Sequence, residues 1–157
     1  MAFKFKSSGV KIDSPQIQSI RVEPTPIGIK TPMELGTDRS GIFAMHFNIG
    51  DQIADNFRNL LLTNKGDRLG RSDFGANLRV LVSELSNSPD FESKAMSQIS
   101  DAVQKYMPFI DLESFSAIPD QSNSNNSLAK VDIRIVYNVQ KLGISKKQII
   151  VSIYANG

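Results

Sequence analysis

A charged stretch with three glycines, Thr63 to Gly75, separates two segments of helical periodicity. Its sequence is TNKGDRLGRSDFG. Glycine permits left-handed backbone conformations or a very close approach of the chain, and the charged side chains between the glycines are costly to bury. The stretch is therefore a shaped, charged loop held between two helices. Its residues alone leave two interpretations open, a solvated helix–helix connection or a recognition element.

The two helices around this loop are predicted from stripes of apolar residues. Upstream, apolar residues recur at i, i+4, i+7 and i+8 over Asp51–Thr63, the pattern of an amphipathic helix. Downstream, a second stripe begins at Phe74, and Ser72 or Asp73 can cap the start of its helix. The two stripes comprise Ile53, Phe57, Leu60 and Leu61, then Phe74, Leu78, Leu81, Val82 and Leu85.

A third helix is predicted after a break at Ser86-Asn87. Ser88 suits the N-cap and Pro89 suits the first helical position, and the helix is expected to end before Pro108. Its stripe comprises Phe91, Ala95, Ile99, Ala102, Val103 and Tyr106. All three stripes are most simply faces that pack into a core.

The remainder of the chain has the period of strands. Leu112–Pro119 is a predicted strand, and the polar run Asp120–Ser127 is a predicted turn. Apolar residues then alternate with polar ones over residues 131–140, which predicts a half-buried strand. Gln148–Tyr154 is the last predicted strand. Consecutive strands with short connections favour an antiparallel meander.

The N-terminal region differs in composition, since residues 1–40 hold four of the seven prolines. Long helices are not expected there, because proline fixes φ and lacks an N–H donor. We interpret residues 1–40 as an extended arm that covers a surface of its own domain or of a partner, with a disordered tail as the alternative. Gly41–Ile49 is a short apolar segment with the only histidine, His46, which is expected to be packed or capping.

These elements together predict an α+β fold. Three amphipathic helices are expected to pack on a small antiparallel sheet, a β-meander. The predicted division is an extended Pro-rich N-terminal arm at residues 1–40 and one domain at residues 41–157, which is long enough to bury a core.

Composition narrows the functional classes. The chain has 157 residues, no cysteine and a net charge of +2, so disulfides, thiol chemistry and cysteine metal sites are excluded. The balanced charge does not favour nucleic-acid or membrane binding. No signal peptide or membrane span is apparent, which indicates a soluble, cytosolic setting. Nothing in the pattern predicts a cofactor or a metal.

Catalytic motifs are absent from the sequence. The spacing from Gly66 to Ser72 does not fit the phosphate-binding GxxxxGK[ST] motif and follows a helix rather than a strand. A glycosidase needs two carboxylates, one of them desolvated. Candidates exist, but sixteen acidic residues always supply some pair, and none shows a local reason for a raised pKa. These candidates are Glu84, Asp67, Asp73 and Glu92.

Two features instead favour protein partners. The basic residues of the loop, among them Arg68 and Arg71, are interleaved with aspartates and accompanied by one aromatic residue, Phe74. That mixture suits a protein surface better than a phosphate backbone, and arginine is a frequent interface anchor. The last strand is the second feature, because a terminal strand often lies at a sheet edge and can recruit a strand from another chain.

The chain from about Asp51 to its C-terminus resembles the small lysozyme-like baseplate wedge proteins, or sheath initiators, of contractile phage tails, a family related to a type VI secretion baseplate subunit. The family pattern is a leucine-rich helix ending in Leu-x-Thr, then Gly-Glu-Arg, three residues, Pro-x-Phe-Gly, and an amphipathic helix that begins with leucine. The matching positions here are Leu61–Thr63, Gly66–Arg68, Asp73–Gly75 and Leu78, followed by Tyr106–Ile110 ahead of the first strand.

The sequence departs from the family pattern at two positions of the loop. Asp67 replaces glutamate, which keeps the charge and shortens its reach. Ser72 stands where proline is usual, so the loop is less rigid. These departures affect the fine geometry of the loop more than the identification.

The resemblance implies a structural protein without enzymatic activity, located in the virion at the tail baseplate and assembled in the host cytoplasm. Expected partners are other baseplate wedge subunits, the tail sheath protein, and hub or tube-proximal proteins that the N-terminal arm would reach. The expected partner-binding residues are Gly66, Asp67, Arg68, Arg71, Asp73, Phe74 and Gly75 in the loop, and Ile149, Val151 and Ile153 in the last strand. The alternatives are a peptidoglycan-cleaving enzyme of the tail and a nucleic-acid binder.

Overall fold

The computed structural model describes residues 25–37, 41–85, 90–119 and 128–156. Within these ranges, three helices pack on a three-stranded antiparallel sheet, and a second, two-stranded sheet lies beside the first helix. The helices are α1 (Ile49–Leu62), α2 (Leu78–Leu85) and α3 (Phe91–Tyr106). The strands are β1 (Gly28–Ile29), β2 (Met45–His46), β3 (Asp111–Pro119), β4 (Leu128–Val139) and β5 (Ile144–Asn156). The predicted α+β class, with three helices and a small antiparallel sheet, is confirmed.

The first helix begins two residues before its predicted start. Asn48 is its N-cap, and the Asn48 side chain accepts a hydrogen bond from the Gly50 N–H at 2.8 Å. The helix ends at Leu62, where the Thr63 N–H still donates to the Asn59 carbonyl. Its stripe Ile53, Phe57, Leu60 and Leu61 is buried, as the periodicity predicts.

The second helix begins at Leu78 and not at Phe74, so the prediction that Ser72 or Asp73 caps it is wrong. The physical reason is backbone geometry, because Gly75 has φ +117 and Asn77 has φ +54, both outside the right-handed helical region. The loop therefore continues four residues further than the apolar spacing indicates, because α2 begins at Leu78 and not at Phe74.

The third helix ends at Tyr106, before Pro108, as predicted. Its N-cap position is Asp90 rather than Ser88. The segment at residues 86–89, on which the predicted Ser88 and Pro89 start signal falls, lies outside the described residues.

The three-stranded sheet has the order β3-β4-β5, with both pairings antiparallel, so the predicted meander is confirmed. The predicted turn at residues 120–127 lies outside the described residues. β5 begins at Ile144, four residues before the predicted Gln148, because a short 3₁₀ turn closes at Gly143 with φ +64 and the chain pairs again at once. β5 is one edge of this sheet and β3 is the other.

The core lies between the helices and one face of the sheet. The alternating residues of β4 are buried there, as predicted, and β5 contributes three more apolar side chains to the same layer. The Phe57 and Tyr137 rings meet edge to face with centroids 5.2 Å apart, which joins α1 to the C-terminal end of β4. The β4 residues are Val131, Ile133, Ile135, Tyr137 and Val139, and the β5 residues are Ile149, Val151 and Ile153.

The described part of the N-terminal arm lies against its own chain. β1 pairs antiparallel with β2, and a further bridge joins Leu35 to Phe43. Residues 1–24 and 38–40 lie outside the described residues, so the division of the chain at residue 40 stays a prediction.

Candidate partner-binding site

A series of hydrogen bonded turns fixes the path of the loop between α1 and α2. The Gly66 N–H donates to the Ser72 carbonyl at 2.7 Å, which closes the base of the loop. Further along, the Arg71 N–H donates to the Arg68 carbonyl and the Phe74 N–H donates to the Arg71 carbonyl. The loop is therefore a compact, internally bonded element rather than a loose connection.

Gly75 joins the loop to the end of α1. A Cβ atom on Gly75 would lie 2.2 Å from the Thr63 carbonyl oxygen, and its φ of +117 is a conformation that other residues rarely adopt. This close approach lets the Ala76 N–H donate to the Leu60 carbonyl at 3.1 Å and the Asn77 N–H donate to the Thr63 carbonyl at 3.4 Å. The loop is thereby held to the last turn of the helix that precedes it.

Phe74 anchors the loop on α3. Its ring packs against the Tyr106 ring with centroids 4.9 Å apart, and the Arg68 guanidinium lies 3.9 Å above the Phe74 centroid on the outer side. Such a cation–π contact restrains the arginine without using its in-plane N–H donors. Arg68 is thus exposed and held in place by the aromatic pair beneath it.

Both acidic residues of the loop are engaged within the chain. The Asp67 carboxylate accepts the Asn64 backbone N–H at 2.9 Å and the Asn64 side-chain amide at 3.2 Å. The Asp73 carboxylate pairs with the Lys105 ammonium at 2.6 Å, and this contact lowers the pKa of Asp73 to about 2. The alternating charges of the sequence are therefore separated in space.

A hollow of ≈ 340 Å³ opens beside the two arginines of the loop. Arg68 and Arg71 form one side, and α1 and the C-terminal end of α3 form the others. None of the described residues that line it is acidic. Phe74 also lines the hollow and was among the predicted partner-binding residues. The other lining residues were not predicted as partner-binding, because they come from α1 and from the end of α3 and the residues just after it, away from the loop in sequence. They are Asn56, Asn59, Leu60, Tyr106, Met107 and Phe109.

The tip of the loop carries Leu69, which is 104% exposed. A leucine fully open to solvent gains nothing from folding of the chain itself. It is a residue that sequence reasoning missed, and its place between Arg68 and Gly70 at the tip makes it available to a partner.

The last strand presents its backbone and not its predicted side chains. Ile149, Val151 and Ile153 are buried in the core, with exposures of 3%, 3% and 5%. These three side chains are therefore not open to a partner, whereas the main-chain groups at the sheet edge and the exposed side chains of Ile150 and Tyr154 are. A second hollow of ≈ 360 Å³ is lined both by Asp67 and by residues 152–154 of β5, so the loop and the strand edge adjoin each other.

The two edges of the sheet differ. On β3, the Ala117 N–H donates to the Glu92 carboxylate of α3 at 3.3 Å, so this outward-facing group is already bonded. Neither β3 nor β5 pairs with a further strand in the part of the chain that the structure describes. β5 is the longer of the two edge strands, with 13 residues against 9.

His46 takes part in a contact between the N-terminal segment and α1 that the sequence did not predict. Its Nε2 lies 2.7 Å from the Asp55 carboxylate, which also accepts the Thr31 backbone N–H at 2.9 Å. Burial raises the pKa of Asp55, but the hydrogen bonds from Thr31 and His46 outweigh it and hold that pKa below 3.8. The contact ties the N-terminal segment to α1, which agrees with the expectation that His46 is packed.

The carboxylates considered for catalysis do not form an acid–base pair in the described residues. The pKa of Asp73 is lowered, whereas a general acid needs a raised one. Glu92 is exposed and bonded to β3, and the side chain of Glu84 lies outside the described part of the structure. The described residues contain no cluster of acidic, histidine or cysteine side chains suited to a metal ion and no helix long and apolar enough to cross a bilayer.

Two solved structures share this fold. One is the crystal structure of a protein described as a tail lysozyme from Geobacter sulfurreducens, with 21% identity, a TM-score of 0.54, and coverage of 70% of this chain and 94% of that one. The other is a chain of the anti-feeding prophage baseplate, with 14% identity, a TM-score of 0.56, and coverage of 69% and 81%. A search of the curated proteins gives no match.

The sequence itself identifies the family. Residues 48–142, more than half of the chain, match the family model for baseplate wedge protein gp25. The chain therefore belongs to this family of baseplate wedge proteins, and the resemblance noted from the loop motif is confirmed. Its role is that of a structural component of a tail baseplate, where it assembles with other baseplate subunits.

Proposed function

We propose that this protein docks onto other wedge subunits through the loop at Gly66–Arg68 and initiates sheath assembly by strand sharing along β5. The observation that carries the proposal is the adjacency of a rigid, basic loop and an open strand edge, which border one hollow. The protein then links two layers of the tail, with wedge subunits on one side and the first sheath ring on the other.

The loop has the properties of an interface anchor. Arg68 is exposed yet restrained over Phe74, so little side-chain freedom is lost on docking. Arginines that make bidentate contacts at an interface centre commonly dominate its binding energy. Arg68 would pair with a carboxylate or with backbone carbonyls of a wedge subunit, and the exposed Leu69 beside it would add apolar contact.

The test of docking is the Arg68→Ala variant, compared with Lys65→Ala as a control of equal charge change in the same loop. We expect Arg68→Ala to weaken docking onto wedges by on the order of 2 kcal/mol or more, and Lys65→Ala to have little effect. Sedimentation of wedges assembled without this protein, with each variant then added, measures the difference. Normal baseplates from the Arg68→Ala variant would remove the docking role of this residue.

The register of the sheet identifies the backbone groups that a sheath strand would use. The Ala117 N–H faces away from β4, and backbone orientation alternates along an antiparallel pair. Ile133, opposite Ala117, therefore turns its N–H and carbonyl toward β5, where it pairs with Val151. It follows that the residues on either side of Val151 present their backbone groups to the open edge.

Ile150 is the position for a test of strand sharing, because its side chain is 47% exposed and its N–H faces outward. Proline is tolerated at such a position in an edge strand, yet it removes the donor. We expect Ile150→Pro to fold and enter baseplates but to block sheath polymerisation, whereas the control Ile150→Thr, which keeps the N–H, permits it. Full-length sheaths on Ile150→Pro baseplates would exclude sharing along this edge.

We propose further that the N-terminal arm reaches hub or tube-proximal proteins, that assembly takes place in the host cytoplasm, and that the protein has no enzymatic activity. A peptidoglycan-cleaving enzyme is the alternative, favoured by the likeness to a protein described as a tail lysozyme. Purified protein assayed on cell walls, with Glu84 and Asp67 neutralised in parallel, separates the two. Hydrolysis that disappears on neutralisation would establish the enzyme.

A further inference from the structure

We propose that the hollow beside Arg68 and Arg71 is the seat of a carboxylate side chain from the docked wedge subunit. The inference rests on the proposed docking of the loop and specifies the chemistry of the partner residue that it receives. Three properties of the hollow carry it, namely uncompensated positive charge, donors held in place, and an aromatic wall.

The positive charge arises because the loop separates its own charges. Asp67 is bonded to Asn64 and lines the hollow beside β5, and Asp73 is paired with Lys105 and lines a different hollow next to α3. Arg68 and Arg71 are left without an acidic partner among the described residues. Closing a partner over two guanidinium groups without a counter-charge would be strongly unfavourable.

Donors outnumber acceptors in the hollow because of its two guanidinium groups, although the Asn59 amide donates to the Thr31 hydroxyl at 3.2 Å and keeps an oxygen that can accept. The Asn56 side-chain oxygen already accepts from the Gln52 amide at 3.0 Å, so its own NH₂ group remains to donate. Arg68 keeps its in-plane donors, because the contact with Phe74 uses the face of the guanidinium. A group that accepts several hydrogen bonds and carries negative charge satisfies this set, and a carboxylate does so in bidentate fashion.

The aromatic wall favours a carboxylate carried on a side chain over a phosphate backbone. Phe74, Tyr106 and Phe109 are among the lining residues, and a volume of ≈ 340 Å³ holds an acidic group together with its methylene stem. A nucleic-acid backbone presents a row of charges and would need a basic stripe, whereas the adjoining Asp67 and Asp73 interrupt one here.

The sharpest test introduces a carboxylate into the hollow by a substitution in this chain. Asn56→Asp keeps the size of the side chain and gives Arg68 and Arg71 an internal partner, so the seat is blocked without loss of a basic residue. The control is Gln104→Glu, an equal charge change at an exposed position of α3 that does not line the hollow. Arg71→Gln is the complementary variant, which removes one of the two charges at an exposed site.

Binding of each protein to wedges assembled without this chain is measured at several salt concentrations. We expect Asn56→Asp and Arg71→Gln each to raise the Kd at least about tenfold and to reduce its salt dependence, with Gln104→Glu within about twofold of the unaltered protein. If Asn56→Asp and Arg71→Gln both bind as the unaltered protein does, the carboxylate seat is wrong. Altered binding to double-stranded DNA rather than to wedges would likewise overturn it.

A photo-crosslinking residue at Leu69 separates failure of this inference from failure of the proposed docking, since Leu69 is fully exposed and lies outside the hollow. Crosslinks to a wedge subunit, together with undiminished binding of both Asn56→Asp and Arg71→Gln, would leave docking in place and refute the seat. Absence of wedge crosslinks in assembled baseplates would refute both.

Discussion

Replacement of Gly75 by alanine tests how the loop is held against α1. The φ of +117 costs a non-glycine residue about 1–3 kcal/mol. The new Cβ would also lie 2.2 Å from the Thr63 carbonyl oxygen, a backbone atom that cannot turn aside. Separating the two segments weakens the bonds from Ala76 to Leu60 and from Asn77 to Thr63, each worth about 0.5–1.5 kcal/mol. Together these terms predict a loss of about 2–6 kcal/mol.

Gly70→Ala is the matched control, because Gly70 also has a positive φ, of +77, but has nothing within 4 Å of the position of an added Cβ. Its expected cost is the conformational term alone, about 1–2 kcal/mol. Urea denaturation followed by far-ultraviolet circular dichroism gives the free energy of unfolding of both variants. If Gly75→Ala costs no more than Gly70→Ala, the close approach to Thr63 does not hold the loop and the reasoning is refuted.

Two further predictions concern groups away from the loop. Asp55→Asn should lower the free energy of unfolding by about 1–3 kcal/mol at pH 7, because the carboxylate bonded to His46 is lost. The pKa of Asp55 is lowered in the folded protein, so the stabilisation from its carboxylate is present above pH 3.8 and is lost as the pH falls through the folded pKa. The free energies of unfolding of the unaltered protein and of Asp55→Asn should therefore converge in acid. Denaturation curves at pH 7 and pH 3 that differ by the same free energy would contradict this. Tyr137→Phe should leave the free energy of unfolding unchanged or raise it by up to about 1 kcal/mol, because the buried hydroxyl has no hydrogen bond partner among the described residues. A clear loss in the free energy of unfolding would show that this hydroxyl does make a hydrogen bond.

Much of the fold was predictable from the sequence, because the periodic spacing of apolar residues differs between helices and strands. The stripes of α1 and α3 and the alternation along β4 were identified from spacing alone, and their residues are buried in the structure apart from Tyr106, which is half-buried. Each of those segments packs one face on a common core, so the spacing of its apolar residues predicts which side chains are buried.

The boundaries next to the loop could not be predicted in the same way. Phe74 continues the apolar stripe of α2 and was assigned to that helix, yet it packs on Tyr106 from the loop. The helix starts later because of the backbone conformations of Gly75 and Asn77. A left-handed φ at an asparagine leaves no mark in hydrophobic periodicity.

The candidate site was predicted in position but not in arrangement. Its loop was recognised from glycine and charge, and the family motif supported it. The separation of charge was not visible, because the partner of Asp73 is Lys105, thirty-two residues away. The role of the last strand changed as well, since its predicted residues such as Val151 belong to the core, and what it leaves open is its edge backbone and side chains of the other face such as Ile150.

The central claim is that the loop and the β5 edge face two different partners in the assembled tail. An electron cryomicroscopy reconstruction of the complete tail, resolved well enough to trace strands, tests this directly. We expect the loop around Arg68 to contact a wedge subunit and a strand of the sheath protein to lie beside Ile150 on the open edge of the sheet. A loop facing solvent, or a sheath strand paired with β3 instead, would contradict it.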